Sequence, residues 1–154
     1  MTDDINNSDQ HKRYSVVTTS HTGCEMTDFI VYIDQSTVSD GKLEELRSAM
    51  RELVDFVEAN EPEILAYDVY FSADGSQMTV MHMHANQDSL EFHMEVAGPK
   101  FPPIGEFIEF DSIDVYGRLS EDLIERLNDK ASTLGSGRVS VHELHRGVDR
   151  VSNN

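Results

Sequence analysis

The stretch from Met78 to Met94 constrains the fold more than any other part of this 154-residue chain. Alternation in its first half, Met78–His84, places two sets of side chains on opposite faces of a strand, and neither set contains an acidic residue, a lysine or an arginine. A sheet with one face in water normally carries polar side chains on that face. This strand therefore predicts a sheet that is covered on both faces.

The second half of the stretch predicts a helix. Asn86 or Asp88 can accept hydrogen bonds from the free amides of a first turn, and Leu90, Met94 and Ala97 recur at helical spacing. Protonatable and polarisable side chains are concentrated where the strand and the helix meet. They are Met81, His82, Met83, His84 and His93. Because imidazole titrates near neutral pH, we expect any functional site to lie between this strand and this helix.

The chain is strongly acidic, with 29 acidic and 12 basic residues and a formal net charge of -17. Nucleic acid and anionic membrane surfaces both attract clustered lysine and arginine, so we expect neither as a partner. The acidic excess is also compatible with a high-salt habitat. The length fits one domain whose core needs no disulfide or metal.

The single cysteine, Cys24, cannot form an internal disulfide, which indicates a reducing compartment. No apolar run is long enough to span a membrane, and residues 1–10 lack the apolar segment of a secretory signal. These features predict a cytoplasmic protein.

Hydrophobic periodicity predicts alternating strands and helices in one domain over residues 14–150, after a disordered tail at 1–13. The predicted strands are 14–19, 29–34, 64–71, 78–84, 112–116 and 138–144. The predicted helices begin at Ser39 or Asp40 as a cap, near 86, and at Ser120. The turn at Asp74–Gly75 joins two strands in a hairpin, and Gly135–Gly137 is predicted to be a flexible joint. The order β-α-β-β-α-β followed by α-β predicts an α+β ferredoxin-like sheet with its helices on one face.

Several of these stretches resemble the antibiotic-biosynthesis-monooxygenase-like members of the dimeric α/β-barrel superfamily. They are the strand 29–34, the long helix from Gly41, the hairpin E-I-L-A-Y-D-V-Y-F through Asp74–Gly75, the passage D-S-L-E-F-H into a helix, and the strand I-D-V-Y-G. The resemblance covers residues 28–117 as the core, with 118–150 as a C-terminal α-β extension. It implies a homodimer whose two sheets pack face to face, which agrees with the two covered faces deduced above.

The resemblance implies a cofactor-independent monooxygenase that acts on a small aromatic or quinol compound. His93 is the candidate catalytic residue, as a proton acceptor. The candidate substrate-binding residues are Tyr32, Tyr67, His82, His84, Met94 and Phe107. We expect no cofactor and no metal, because the spacing of the histidines on the strand is common by chance and the sequence positions no carboxylate to complete a ligand set.

Two alternatives remain open from the sequence. The first is a non-catalytic dimer of the same fold that binds a small ligand or has a structural role. Haem binding through His93 is a weaker one, since the chain has no tryptophan and its first strand offers Tyr32 and Asp34 where several active members use asparagine. A cavity above ~300 Å³ beside His93 would favour a ligand site over a filled core.

Overall fold

A central sheet and three helices account for most of residues 28–151, which are the residues that the computed structural model describes. The predicted strand 14–19 and Cys24 lie outside the described residues. The elements in chain order are β1 (Ile30–Val38), α1 (Leu43–Asn60), β2 (Ile64–Phe71), β3 (Gln77–His84), α2 (Gln87–Val96), β4 (Ile108–Tyr116), α3 (Glu121–Leu134) and β5 (Gly135–His142). Two short 3₁₀ helices, Gly98–Lys100 and Pro102–Phe107, connect α2 to β4.

The strands lie in the order β2-β3-β1-β4-β5, with β1 antiparallel to both β3 and β4. The first four strands have the ferredoxin-like arrangement, and β5 is added parallel to β4 at one edge. A parallel pair needs a crossover connection, which α3 supplies. The predicted α+β ferredoxin-like fold is confirmed.

All three helices pack on one face of the sheet. In α1, four apolar residues at helical spacing are buried against the sheet, namely Leu46, Met50, Leu53 and Val57. In β3, one set of alternating side chains is buried against the helices. That set is Met78, Val80, His82 and His84. The opposite face, called the open face below, is only half-buried in a single chain, with Val31, Ile33, Met81 and Met83 at its centre.

Side-chain caps begin two of the helices where the sequence predicted them. Asn86 accepts a hydrogen bond from the Ser89 amide at 2.9 Å, and Ser120 accepts one from the Leu123 amide at 3.3 Å. The predicted cap of α1 at Ser39 or Asp40 is wrong. Its N-cap residue is Lys42, which makes no side-chain capping bond.

The glycines predicted to form a flexible joint, Gly135–Gly137, are instead the first residues of β5. A Cβ atom on Gly137 would lie 2.6 Å from Cδ1 of Phe110, so the absence of a side chain lets β5 lie against β4. Leu65 also departs from strict alternation, because a register shift between Ile64 and Ala66 leaves it 46% exposed.

Candidate functional site

Three histidines and two tyrosines meet in the interior, between the sheet and the helices. His82 and His84 point from β3, His93 points from α2, and all three are 0% exposed. The ring centroid of His82 is 4.8 Å from that of His93, 4.4 Å from Tyr32 and 4.5 Å from Tyr67. We call these five side chains the buried cluster. The fold thus brings together five of the seven candidate site residues named from the sequence.

A carboxylate orients His93. Nδ1 of His93 lies 2.8 Å from Oε2 and 3.0 Å from Oε1 of Glu61, which is 4% exposed and follows the last turn of α1. When Nδ1–H donates to this carboxylate, the lone pair of the neutral ring is on Nε2. Nε2 is buried and has no hydrogen-bond partner among the described residues. His93 thus has the arrangement of a general base with an orienting group behind it.

The tautomer of His84 follows from its neighbours. The hydroxyl of Ser89 donates its one hydrogen to the carbonyl oxygen of Glu63 at 3.2 Å. Oγ of Ser89 is therefore the acceptor in its contact with His84, and Nδ1–H of His84 donates to it at 3.1 Å. The lone pair on Nε2 of His84 is then also free within the described part of the chain. Two unpaired imidazole acceptors, on His84 and His93, lie in the same buried cluster.

A buried ammonium lies at the other end of the cluster. Nζ of Lys130, on α3, donates to Oη of Tyr32 at 2.8 Å and to Oδ2 of Asp34 at 3.0 Å. The lysine is 8% exposed, and its ammonium is also 4.2 Å from the ring centroid of Phe101. Nε2 of His82 is 3.6 Å from the same Asp34 oxygen, which is too long for a hydrogen bond but close enough for an electrostatic contact.

Burial and these charges set the protonation states. Burial alone would raise the pKa of Asp34, but the Lys130 ammonium and His82 outweigh it and lower that pKa to about 2. Burial lowers the pKa of His82 to about 3, although Asp34 opposes the shift. Burial lowers the pKa of His84 to about 2, and the neighbouring histidines add to the effect. At neutral pH, Asp34 is therefore ionised and both histidines are neutral.

Burial also keeps the two tyrosines of the cluster protonated. The pKa of Tyr32 is raised well above its usual value, first by burial and then by the charge of Asp34. The pKa of Tyr67 is raised by burial and by the charges of Asp34 and Glu61. Both side chains are thus hydroxyl groups at neutral pH, able to donate or accept a hydrogen bond.

Several buried polar atoms of this region have no hydrogen-bond partner within residues 28–151. They are Oδ1 of Asp34, Oγ of Ser36, both ring nitrogens of His82, and Nε2 of His84 and His93. An unpaired buried polar atom lowers the stability of the fold by about 1–3 kcal/mol, so several such atoms at one place indicate a functional site. Asp34, Ser36, Tyr67 and Lys130 also line a small cavity of about 30 Å³, called the inner cavity below, which has room for water but not for an aromatic ring.

Two predicted site residues lie away from the buried cluster. Met94 lines a larger cavity on the outer side, and Phe107 packs against the core from the second 3₁₀ helix. That 3₁₀ helix instead contributes Ile104 to the inner cavity, and Phe101 lies just before it. The phenylalanine of this region that contacts His93 is Phe101, with 5.7 Å between the ring centroids.

The sequence did not identify Glu61 and Lys130 as site residues. The sequence positioned no carboxylate beside the histidines, whereas the structure places Glu61 beside His93 and Asp34 beside His82. Lys130 did leave a signal, because it lies in the apolar stripe of α3 with Leu123, Leu127 and Leu134. Within residues 28–151 no group of three or more His, Cys, Asp or Glu side chains is arranged to hold a metal ion.

Solved structures with the same fold support the resemblance drawn from the sequence. MupZ from Pseudomonas fluorescens aligns with a TM-score of 0.66 at 15% identity, covering 84% of this chain and 94% of its own. A protein described as an antibiotic biosynthesis monooxygenase, from Caulobacter crescentus CB15, aligns with a TM-score of 0.54 at 20% identity, covering 61% and 92%. SnoaB, a cofactor-independent oxygenase from Streptomyces nogalater, aligns with a TM-score of 0.51 at 14% identity, covering 60% and 95%.

These likenesses confirm the resemblance to antibiotic-biosynthesis-monooxygenase-like proteins at the level of the fold. The alignment with MupZ covers 84% of this chain. Residues 1–117 make up a smaller share of the 154 residues, so the alignment includes part of the C-terminal extension. No protein-family model and no curated protein matches the sequence. Fold alone does not define an activity, so the chemistry must be argued from the buried cluster.

Proposed function

We propose that this protein is a cofactor-independent monooxygenase that acts on a small phenolic or quinol compound. The observation that carries the proposal is the buried His93–Glu61 pair, whose free Nε2 lies in the buried cluster, together with the Lys130 ammonium that contacts the cluster at Tyr32. A base and a fixed positive charge at one site favour removal of a proton from a hydroxyl group, because the charge stabilises the anion that forms.

The chemistry balances without an added reductant. A phenol with a ring hydrogen opposite its hydroxyl group reacts with dioxygen to give a quinone and water. His93 takes the hydroxyl proton, the electron-rich anion reduces dioxygen, one oxygen atom enters the ring and the other leaves as water. The substrate supplies all the electrons. Lys130 and the hydroxyl of Tyr32 would hold the substrate oxygen, and the surrounding apolar side chains would keep bulk water out.

Replacing His93 by asparagine should remove the base while keeping a hydrogen-bond donor for Glu61. We expect the rate of oxygen uptake with a panel of phenols and quinols to fall by ~10²–10⁴. Replacing Glu61 by glutamine should lower the rate by about tenfold or more, because the ring of His93 loses its orientation and its charge partner. Negligible and equal rates for the wild type and H93N would reject the enzyme and favour the non-catalytic dimer.

The open face of the sheet supports a homodimer. Val31 pairs with Met83 and Ile33 with Met81 across β1 and β3, and these half-buried apolar side chains lie at the centre of that face. Tyr70 and Tyr116 add exposed aromatic surface, at 54% and 44% exposure. We propose that a second copy of the chain covers this face, because the same apolar patch on both copies is self-complementary in a two-fold dimer.

Analytical ultracentrifugation tests the dimer. We expect the wild type to sediment as a dimer at micromolar concentration and M81E to sediment as a monomer, since each dimer would bury two unpaired carboxylates. F92E is the matched control, because Phe92 is 44% exposed on α2, on the helix side of the sheet. A monomeric wild type, or an M81E variant that dimerises as well as F92E, would contradict the proposal.

Within residues 28–151 no helix has the length and apolar character needed to cross a membrane.

A further inference from the structure

A second cavity adjoins the buried cluster from the outside. Its volume is about 420 Å³, and it lies between the C-terminal part of α2 with the first 3₁₀ helix on one side and α3 on the other. Met94, Pro99 and Pro102 give it apolar walls. We call it the outer groove. Its size lies within the ~300–1,000 Å³ range of small-molecule sites, whereas the inner cavity is far smaller.

The outer groove and the inner cavity share three lining residues, Phe101, Lys130 and Leu134. These side chains therefore form the partition between the two spaces. Phe101 is 8% exposed, with its ring against His93 on one side and against the Lys130 ammonium on another. It lies between the two 3₁₀ helices and outside the sheet.

We propose that the outer groove binds the ring system of a flat aromatic molecule with one hydroxyl group, and that Phe101 gates the passage of the hydroxyl end to His93 and Lys130. The ligand class rests on the proposed function. The groove supplies thioether, proline and phenylalanine surface for a flat ring. The ammonium at the partition supplies the donor for the hydroxyl oxygen.

The charges at the groove favour an uncharged ligand. Glu95 and Asp129 line it together with Arg126, so the groove presents carboxylates as well as cations. The whole chain has a formal net charge of -17, which repels anions. A neutral phenol enters without this repulsion and becomes an anion only after His93 has taken its proton.

Two neighbouring positions on α3 give a matched test of the groove. Thr133 lines it, whereas Ser132 does not, and both are exposed residues whose hydroxyl groups bond to the carbonyl four residues earlier. The probe is 2-naphthol, and its binding is followed under nitrogen by its own fluorescence. The chain has no tryptophan, so no tryptophan emission overlaps the signal of the probe. We expect T133Y to weaken binding by about tenfold or more and S132Y to change it by less than about twofold.

The gate is tested by stopped-flow mixing with the same probe. We expect F101A to bind 2-naphthol about tenfold faster than the wild type, with F92A unchanged as the control. F101L serves in the same way if F101A unfolds at the assay temperature. Equal association rates for the wild type, F101A and F101L would overturn the gate.

Because the probe is used without oxygen, these experiments test ligand binding independently of the proposed monooxygenase activity. No binding to the wild type, or equal weakening by T133Y and S132Y, would overturn the outer groove as the ligand site. Tight binding that T133Y abolishes supports the groove even where no substrate is oxidised, and in that case only the proposed monooxygenase would fail.

Discussion

Replacing Lys130 by methionine should lower the free energy of unfolding by about 3–5 kcal/mol. The variant keeps the length of the side chain but leaves the Asp34 carboxylate, which is 7% exposed, without its ammonium at 3.0 Å. Removing one partner of a buried ion pair is more damaging than removing both, because the remaining charge cannot reach water. Urea unfolding at pH 7 measures the loss.

The double variant D34N/K130M should recover most of that free energy, since neither charge is then present. K42M is the surface control. Lys42 and Glu45 are 2.9 Å apart, but their side chains are 44% and 50% exposed, so the effect of K42M should stay below about 1 kcal/mol. A K130M variant as stable as K42M would contradict the account of Asp34 and Lys130.

The stability of the protein should fall steeply as the pH is lowered from 7.5 to 4.5. His82 and His84 have folded-state pKa values of about 3 and 2, well below the unfolded value of 6.5. Below pH 6.5 the unfolded chain therefore binds protons that the folded chain does not, and each histidine removes about 1.4 kcal/mol per pH unit. The two together should remove about 5 kcal/mol over this interval.

The control for this prediction is the H84N variant, which keeps a donor for Ser89 but cannot titrate. Its free energy of unfolding should fall with a slope that is smaller by about 1.4 kcal/mol per pH unit between pH 6 and 4.5. Asp34 does not affect this window, because its stabilisation is present above its unfolded pKa of 3.8 and is lost only as the pH falls towards 2. Identical slopes for the wild type and H84N would show that His84 titrates normally.

Most of the fold could be predicted because each element has a clear period in the sequence. Alternation in β3 placed His82 and His84 on the same face of the sheet, and this is the face that the helices bury. The prediction of a flexible joint at Gly135–Gly137 was wrong, because glycine occurs both in flexible joints and where two strands approach closely. Only the packing of Gly137 on Phe110 separates these two cases.

The site was predicted only in part because its decisive contacts join residues far apart in sequence. Lys130 lies 96 residues from Asp34, and Glu61 lies 32 residues from His93. No local pattern reports such pairs. The lysine within the apolar stripe of α3 was the one visible sign, because a charged residue there must find a buried partner. Nothing around Glu61 distinguishes it from the other acids of this acidic chain.

Turnover in isotopically labelled dioxygen tests the central claim most directly. With a phenol that the wild type oxidises, mass spectrometry of the quinone should find one labelled oxygen atom per molecule, and the H93N variant should form the labelled product far more slowly. Label found only in water, no product from any phenol of the panel, or the same rate of labelling by H93N would contradict the assignment of His93 as the base of a monooxygenase.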